Sequence, residues 1–368
     1  MKKRFHILDG FRGLFALLVA IYHFAPGPGY IGHTLFISHA SYFTDFFFVL
    51  SGFVIYYNYN ELKFTGIKVF LVKRFLRLYP LHIFMLLVFL LVELGKMVLY
   101  DLIPFENPPF DRNDLMAFIS HLFLVQSYGM PTYWGCWNAP SWSISAEFFS
   151  YFVFCFTIIF VRKLAYYSKI SFYLIFSGLA LWALFSIQGN LNIKTEQFGF
   201  LRCAYSFFLG CMACVLHDRI RQTPNRVVFS VLEGLFLATS VLAIMYVPAS
   251  MTYLIPIVFL ATISVFSFES GYVSSLLNSE VFRTLGTLSY SIYMTHYLLM
   301  FVFKIGLINI LKVQNGLVYD LMLIPYIVFI LALSDFTYHH VEIKGKEWLA
   351  KLFQKQSVAS INQQLSHK

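Results

Sequence analysis

Arg12 and His23 stand eleven residues apart inside one apolar segment, residues 7–24. An ionised group at the centre of a bilayer costs at least ~2.5–3.5 kcal/mol, so such residues are seldom kept there without a task. Eleven residues at about 100° each make three helical turns plus roughly 20°, which puts both side chains on one face, roughly 16 Å apart along the axis. That face carries a fixed cation at one depth and a titratable base at another. The arrangement suits a reaction run across a membrane better than a purely structural bundle. Asp9, three residues before Arg12, shares the face and neutralises the guanidinium in the simplest reading.

Other ionisable residues fall in apolar stretches. Asp45 opens a second segment and Glu147 lies two turns into a later one. Counted from the segment ends, both reach the depth of His23, and a carboxylate beside an imidazole fixes its tautomer and raises its basicity. Asp45 with Thr44 equally marks a helix start. Arg74 and Arg77 are spaced i, i+3 and point the same way on a helix. Two guanidiniums at a membrane mouth suit a phosphate-bearing ligand, although basic residues also simply anchor topology. His296 lies mid-segment, lining the same cavity or packing. Cys211 and Cys214 have CxxC spacing within an apolar run and read as helix packing, so no metal site is expected. There is no P-loop, GxSxG or HExxH motif, which removes support for ATPase, serine hydrolase and zincin chemistry.

These residues must be held by membrane helices. Of the 368 residues, 59% are hydrophobic and 12% charged, where a soluble domain carries about 25%. Apolar runs near the ~20 residues that cross a bilayer fall at 7–24, 43–58, 78–99, 141–161, 170–187, 199–217, 227–247, 252–268, 287–304 and 318–338. The expected fold is therefore an all-α polytopic membrane protein of about ten helices. Basic residues cluster in alternate loops (Lys2, Lys3, Arg4; Lys63 to Arg77; Arg162, Lys163, Lys169; Arg219, Arg221, Arg226), whereas the opposite loops hold few, namely Arg112, Lys194 and Lys312. The positive-inside rule then places both termini in the cytoplasm. The net charge of +9 is thus a topology signal and does not point to nucleic acid. Segment 115–127 is apolar but short, which fits a re-entrant or interfacial helix on the outer side. The transmembrane unit is read as 1–342. Residues 343–368 are read as an amphipathic helix on the inner leaflet followed by a disordered tail from 356.

Six motifs in order carry a family resemblance: Leu8-Asp-Gly-Phe-Arg-Gly; the Arg12 to His23 spacing; Asp45-Phe-Phe-Phe-Val-Leu-Ser-Gly-Phe53; Arg74-x-x-Arg77-Leu-Tyr-Pro80; Ser141-Trp-Ser-Ile-Ser-Ala-Glu147; and Leu288-Ser-Tyr-Ser-Ile-Tyr-Met-Thr-His296. Together they resemble the bacterial membrane-bound acyltransferase family three, over residues 5 to 340. The resemblance implies a bacterial inner-membrane enzyme with no permanently bound cofactor. Acyl-CoA, commonly acetyl-CoA, would be the cytoplasmic co-substrate, and the acceptor a hydroxyl of an envelope glycan or glycolipid. It implies that Arg12 and His23 are the catalytic pair, and the depth count adds Asp45 and Glu147 beside them as catalytic candidates. Arg74 and Arg77 would bind the donor, and Trp142 and His296 would contact substrate. His23 then serves as general base or as transient acyl carrier. Arg12 holds the thioester carbonyl or organises the helix face. A flippase or transporter of a lipid-linked sugar is the alternative class, since buried charges suit it equally. The absence of internal repeats and of paired broken helices weighs against it.

Overall fold

The computed structural model describes residues 3–103, 105–130, 135–188, 195–219 and 225–353, and among them every regular element is helical. Lys2, Lys194, Arg221 and the polar tail 356–368 lie outside the described residues. Nine helices of the described chain are long and apolar enough to cross a membrane. The helices that matter for the site are α1 (His6–Phe24), α2 (Phe43–Tyr59), α3 (Ile67–Leu99), the short α4 (Leu115–Leu122), α5 (Trp142–Val161), α6 (Tyr166–Gln188), α7 (Thr195–Arg219), α8 (Arg226–Tyr246), α9 (Leu254–Phe266), α10 (Tyr272–Leu277), α11 (Glu280–Lys304) and α12 (Leu323–Thr337).

The tenth expected span, 252–268, is α9, which has only 13 residues. At 1.5 Å per residue it rises ~20 Å, short of the ~30 Å hydrocarbon thickness. Its ends nevertheless lie at opposite levels of the bundle. Before it, the Tyr253 carbonyl accepts from Tyr205 Oη, in the first half of α7, at 2.7 Å. Beyond it, Ser267 Oγ sits 2.8 Å from Nδ1 of His217, near the end of α7, and Glu269 pairs with Lys3 at 2.8 Å. The chain therefore runs along the bundle at α9 as well, from the level of Tyr205 to that of His217 on α7. Both described ends of the chain lie on one face of the bundle, because Lys3 and Lys346 line the same cavity.

Two parallel helix pairs form the frame, and each closes over glycine. A Cβ on Gly13 of α1 would overlap the Leu285 carbonyl of α11, and one on Gly286 would lie 2.5 Å from the Asp9 carbonyl oxygen. A Cβ on Gly52 of α2 would overlap the Phe207 carbonyl of α7, and one on Gly210 the Val49 carbonyl. Lipid tails are as apolar as leucine, so helices in a membrane associate through such close approach rather than through hydrophobic exclusion. The α1/α11 pair is the one that carries the candidate site.

Two further elements refine the sequence reading. Segment 115–127 forms the eight-residue α4 followed by turns, too short to cross a bilayer. Asp114 caps α4 by accepting from the Ala117 amide at 2.6 Å, and Leu115, Met116, Ile119 and Phe123 face outward. The far end of α4 reaches the middle of α3, where Tyr79 Oη donates to the Leu122 carbonyl at 3.1 Å and His82 Nε2 to the His121 carbonyl at 2.8 Å. A helix end buried against another helix leaves carbonyls that need donors, and these two side chains supply them. His82, which its place two residues after Pro80 marks as interfacial, is buried for that reason. The amphipathic stretch after 343 is not a separate element. Helical turns run on from α12 through a π-turn at Tyr338–Ile343 to Phe353, and Phe353 packs 6.4 Å from Phe75 of α3.

Which face is cytoplasmic is a matter of charge, and it can be tested. The five native cysteines are buried, so a single cysteine placed at 111 or at 346 should dominate labelling by a membrane-impermeant maleimide. Position 346 should react from the cytoplasmic side and position 111 from the other. Reaction of 111 from the cytoplasm would invert the whole orientation.

Candidate active site

The face shared by Arg12 and His23 is the face that α1 turns toward α11. Arg12 donates from Nε to Ser289 Oγ at 2.7 Å and from a terminal nitrogen to the Gly286 carbonyl at 3.1 Å. Asp9 stands 3.5 Å from the same guanidinium and also takes Arg4 at 2.8 Å. Eleven residues further on, His23 Nδ1 is 2.9 Å from the Val19 carbonyl and 3.2 Å from Nε2 of His296, which is fully buried on α11. His296 Nδ1 lies 3.2 Å from the Ile292 carbonyl. A carbonyl can only accept, so both imidazoles carry their proton on Nδ1. His296 Nε2 then accepts from His23 Nδ1–H. The consequence is chemical: His23 Nε2 keeps its lone pair, with no hydrogen bond to it among the described residues.

Two cavities approach this pair from opposite faces. The first, about 530 Å³, is lined at its mouth by Lys3, Arg4 and Lys346 and deeper by Arg12, Arg74 and Arg77. These six cations meet three carboxylates, Asp9, Glu147 and Glu342. Arg74 donates to Tyr59 Oη at 3.2 Å and lies over the Tyr59 ring, which orients its planar fork. Its Nε is buried without a hydrogen-bond partner among the described residues. The second cavity, about 660 Å³, opens on the other face between the ends of α1, α3 and α11. Its lining mixes aromatic rings (Phe89, Trp137, Tyr297) with carboxamides (Asn107, Asn113, Gln314) and the buried pair Glu93–Lys96 at 3.0 Å. Neither imidazole lines a cavity among the described residues. Tyr293, a lining residue of the first cavity, has its ring 5.7 Å from that of His296; Tyr297, of the second, is 5.8 Å from that of His23.

The structure brings together only part of the expected constellation. His296 is the direct partner of His23. Glu147 lines the first cavity with Arg12, Arg74 and Arg77 and accepts from Tyr151 Oη at 2.5 Å, so it does not support the imidazole. Counting residues from a helix end gives its distance from one face but not the depth of the cavity, which extends inward as far as Thr44, Ser143 and Tyr293. Asp45 is likewise engaged elsewhere. Its carboxylate is wholly buried in a two-pronged pair with Arg202, at 3.0 and 2.7 Å, and also accepts from Ser206. Trp142 lines neither cavity; its ring lies under the Arg202 guanidinium, 5.7 Å away. Ser289 and Glu342 escape notice in the sequence because an intramembrane serine is common and Glu342 falls after the last apolar run. Arg202 is a visible signal there, a charge inside a span whose partner the sequence alone does not identify.

A bundle of membrane-crossing helices with two opposed cavities and a hydrogen-bonded imidazole pair between them defines a multi-pass membrane protein with a candidate acid–base site. Residues 5–339 match the acyltransferase domain of acyltransferase family 3, and the chain belongs to that family. Membership decides against the flippase alternative. The chain is also similar to the peptidoglycan O-acetyltransferase OatA of Listeria monocytogenes, with 23% identity over 322 residues that cover 79% of this chain and 48% of the relative. It thus spans about half the length of that curated relative. No solved structure matches it.

Proposed function

We propose that this protein transfers an acyl group, acetyl in the simplest case, from cytoplasmic acyl-CoA to a hydroxyl of an envelope glycan on the other side of a bacterial inner membrane. The observation that carries the reading is the pair of unlike cavities whose linings, at Tyr293 and Tyr297, come within one ring contact of His296 and His23. A cation-rich pocket on the basic face suits the CoA phosphates, and an aromatic and carboxamide pocket on the opposite face suits a sugar. The OatA resemblance supports acetyl as the group and a glycan as the acceptor.

The chemistry needs neither ATP nor a metal, since the thioester is already activated. Arg12, Arg74 and Arg77 hold the phosphate end, and the flexible pantetheine arm bridges the ~16 Å of helix rise between Arg12 and His23. His23 Nε2 takes the proton of the acceptor hydroxyl as its oxygen attacks the thioester carbonyl. Collapse of the tetrahedral intermediate breaks the C–S bond and forms the ester. The leaving thiolate recovers the proton from the imidazolium, giving free CoA. His296 accepts from His23 Nδ1–H throughout, which holds the ring and its tautomer. A second reading is favoured by the rings of Tyr293 and Tyr297 between the imidazoles and the two cavities. The acyl group would pass first to His23 Nε2 and then to the acceptor, so that the substrates meet the imidazole in turn.

Lysine in place of arginine tests the donor site. Arg74→Lys with Arg77→Lys keeps both charges but removes the planar fork that grips phosphate through two parallel bonds. In inside-out membrane vesicles the apparent affinity for acetyl-CoA should fall about tenfold, the loss of ~1.4 kcal/mol, within the range of a charged hydrogen bond. Insertion should be unchanged, checked by loop labelling in the same sample. Unchanged acetyl-CoA dependence would return both arginines to topology anchors.

A further inference from the structure

Trp137 is a residue that the fold takes unusual care to place and then leaves unsatisfied. It is only 2% exposed and lines the second cavity. Its backbone has a φ of +51°, the left-handed region that a bulky side chain rarely adopts. Strain of that kind persists only where the surroundings impose it, and it gathers at binding sites. Here they do impose it. The Trp137 amide donates to Asn113 Oδ1, and Asn113 Nδ2 donates to Glu93 Oε1 at 2.7 Å. Glu93, on α3, also accepts from Lys96 at 3.0 Å and from the Phe110 amide at 2.7 Å. A buried carboxylate holding an ammonium, a carboxamide and a backbone amide thus anchors the loop that carries the indole. Phe118 packs edge-on against the ring, 5.2 Å between centroids.

Despite this support, the indole Nε1–H is buried without a hydrogen-bond partner among the described residues. An indole nitrogen is a donor only, and a buried donor normally has a partner. What it lacks is an acceptor oxygen, and the residue that carries it lines the second cavity. The surrounding wall indicates the kind of molecule that brings one. Phe89 and Tyr297 offer ring faces, Asn107 and Gln314 offer carboxamides, and Glu106, Arg112 and Lys304 add charges hostile to a lipid tail.

We propose that the Trp137 indole N–H donates to an oxygen of a carbohydrate bound in the second cavity, which makes Trp137 a specificity-determining residue for the acceptor. The assignment rests on the acyl-transfer reading above for the identity of the cavity as the acceptor site. Trp137→Phe keeps an aromatic face and removes the donor together with the second ring of the indole. The probe is envelope glycan of the producing cell, treated with mild base to free its hydroxyls, supplied with acetyl-CoA to the purified protein in nanodiscs. Loss of one neutral hydrogen bond should raise the acceptor KM about 3- to 10-fold, with the acetyl-CoA KM unmoved. An unchanged acceptor KM overturns the proposal, since the N–H would then be served by water alone. Ultraviolet resonance Raman gives a second readout through the indole N–H band. Glycan should shift it in the wild type, and no shift of any indole overturns the proposal even if the variant fails to accumulate. A wild type whose band shifts with glycan, but which transfers no acetyl group, sinks the transfer reading and leaves this one standing.

Discussion

His23→Ala is expected to lower acyl transfer by about 10²–10⁴-fold, the usual worth of a positioned general base, while the protein still inserts and accumulates. Accumulation follows from the local structure. His23 is only half-buried, and its hydrogen bonds run to Val19 and His296 alone among the described residues. Helical pairing holds the Val19 carbonyl with or without the imidazole, so truncation leaves no new unsatisfied backbone group. The loss should therefore be chemical, and it should appear as a fall in rate at saturating donor and acceptor. Transfer to base-treated envelope glycan at equal protein level measures it; a variant with wild-type rate would remove His23 from the mechanism. The same preparation separates base from acyl carrier. Radiolabelled acetyl-CoA is added without acceptor and the protein is denatured within one turnover. A base leaves the protein unlabelled, whereas a carrier leaves label that His23→Ala abolishes.

The features legible in the sequence are those written in one helix at a time. Periodicity fixes which face of α1 holds Arg12 and His23, and both do point at one partner helix. The i, i+3 spacing of Arg74 and Arg77 holds because α3 is already helical from Ile67, ahead of the apolar run that marks the span. Hydropathy locates the spans, and only α9, shortened to 13 residues, needs tertiary contacts to be understood. The relations between helices are not legible. Asp45 and Arg202 lie 157 residues apart, and no periodicity links them. That Glu147 lines one cavity with Glu342, which lies on the π-turn after α12, is a property of packing. Trp137 escapes for a similar reason: its role depends on a left-handed φ and an orphan N–H, neither of which composition encodes.

The buried Asp45–Arg202 pair carries the other large effect, and it separates structural from catalytic work. Asp45 on α2 and Arg202 on α7 meet at 2.7 Å with almost no exposure, on the same two helices that Gly52 and Gly210 bring into close backbone contact. Removing one partner strands the other as an uncompensated buried charge, which costs about 3–5 kcal/mol in typical cases. Asp45→Ala and Arg202→Ala should each lower the melting temperature in detergent sharply and reduce accumulation. Replacing both charges by apolar groups of similar volume is often neutral or stabilising. Asp45→Leu combined with Arg202→Met should therefore recover most of the loss, with the introduced thioether sulfur set against the Trp142 ring. Two quantities decide the role of Asp45, the melting temperature and the transfer rate per folded molecule. Recovery of both in the double variant makes the pair a positioning device that holds α2 against α7. Recovery of folding with transfer still down about a hundredfold, the scale of a lost acid–base group, would instead place the Asp45 carboxylate in the chemistry. The hydrogen bonds from Arg202 would then be what orients it.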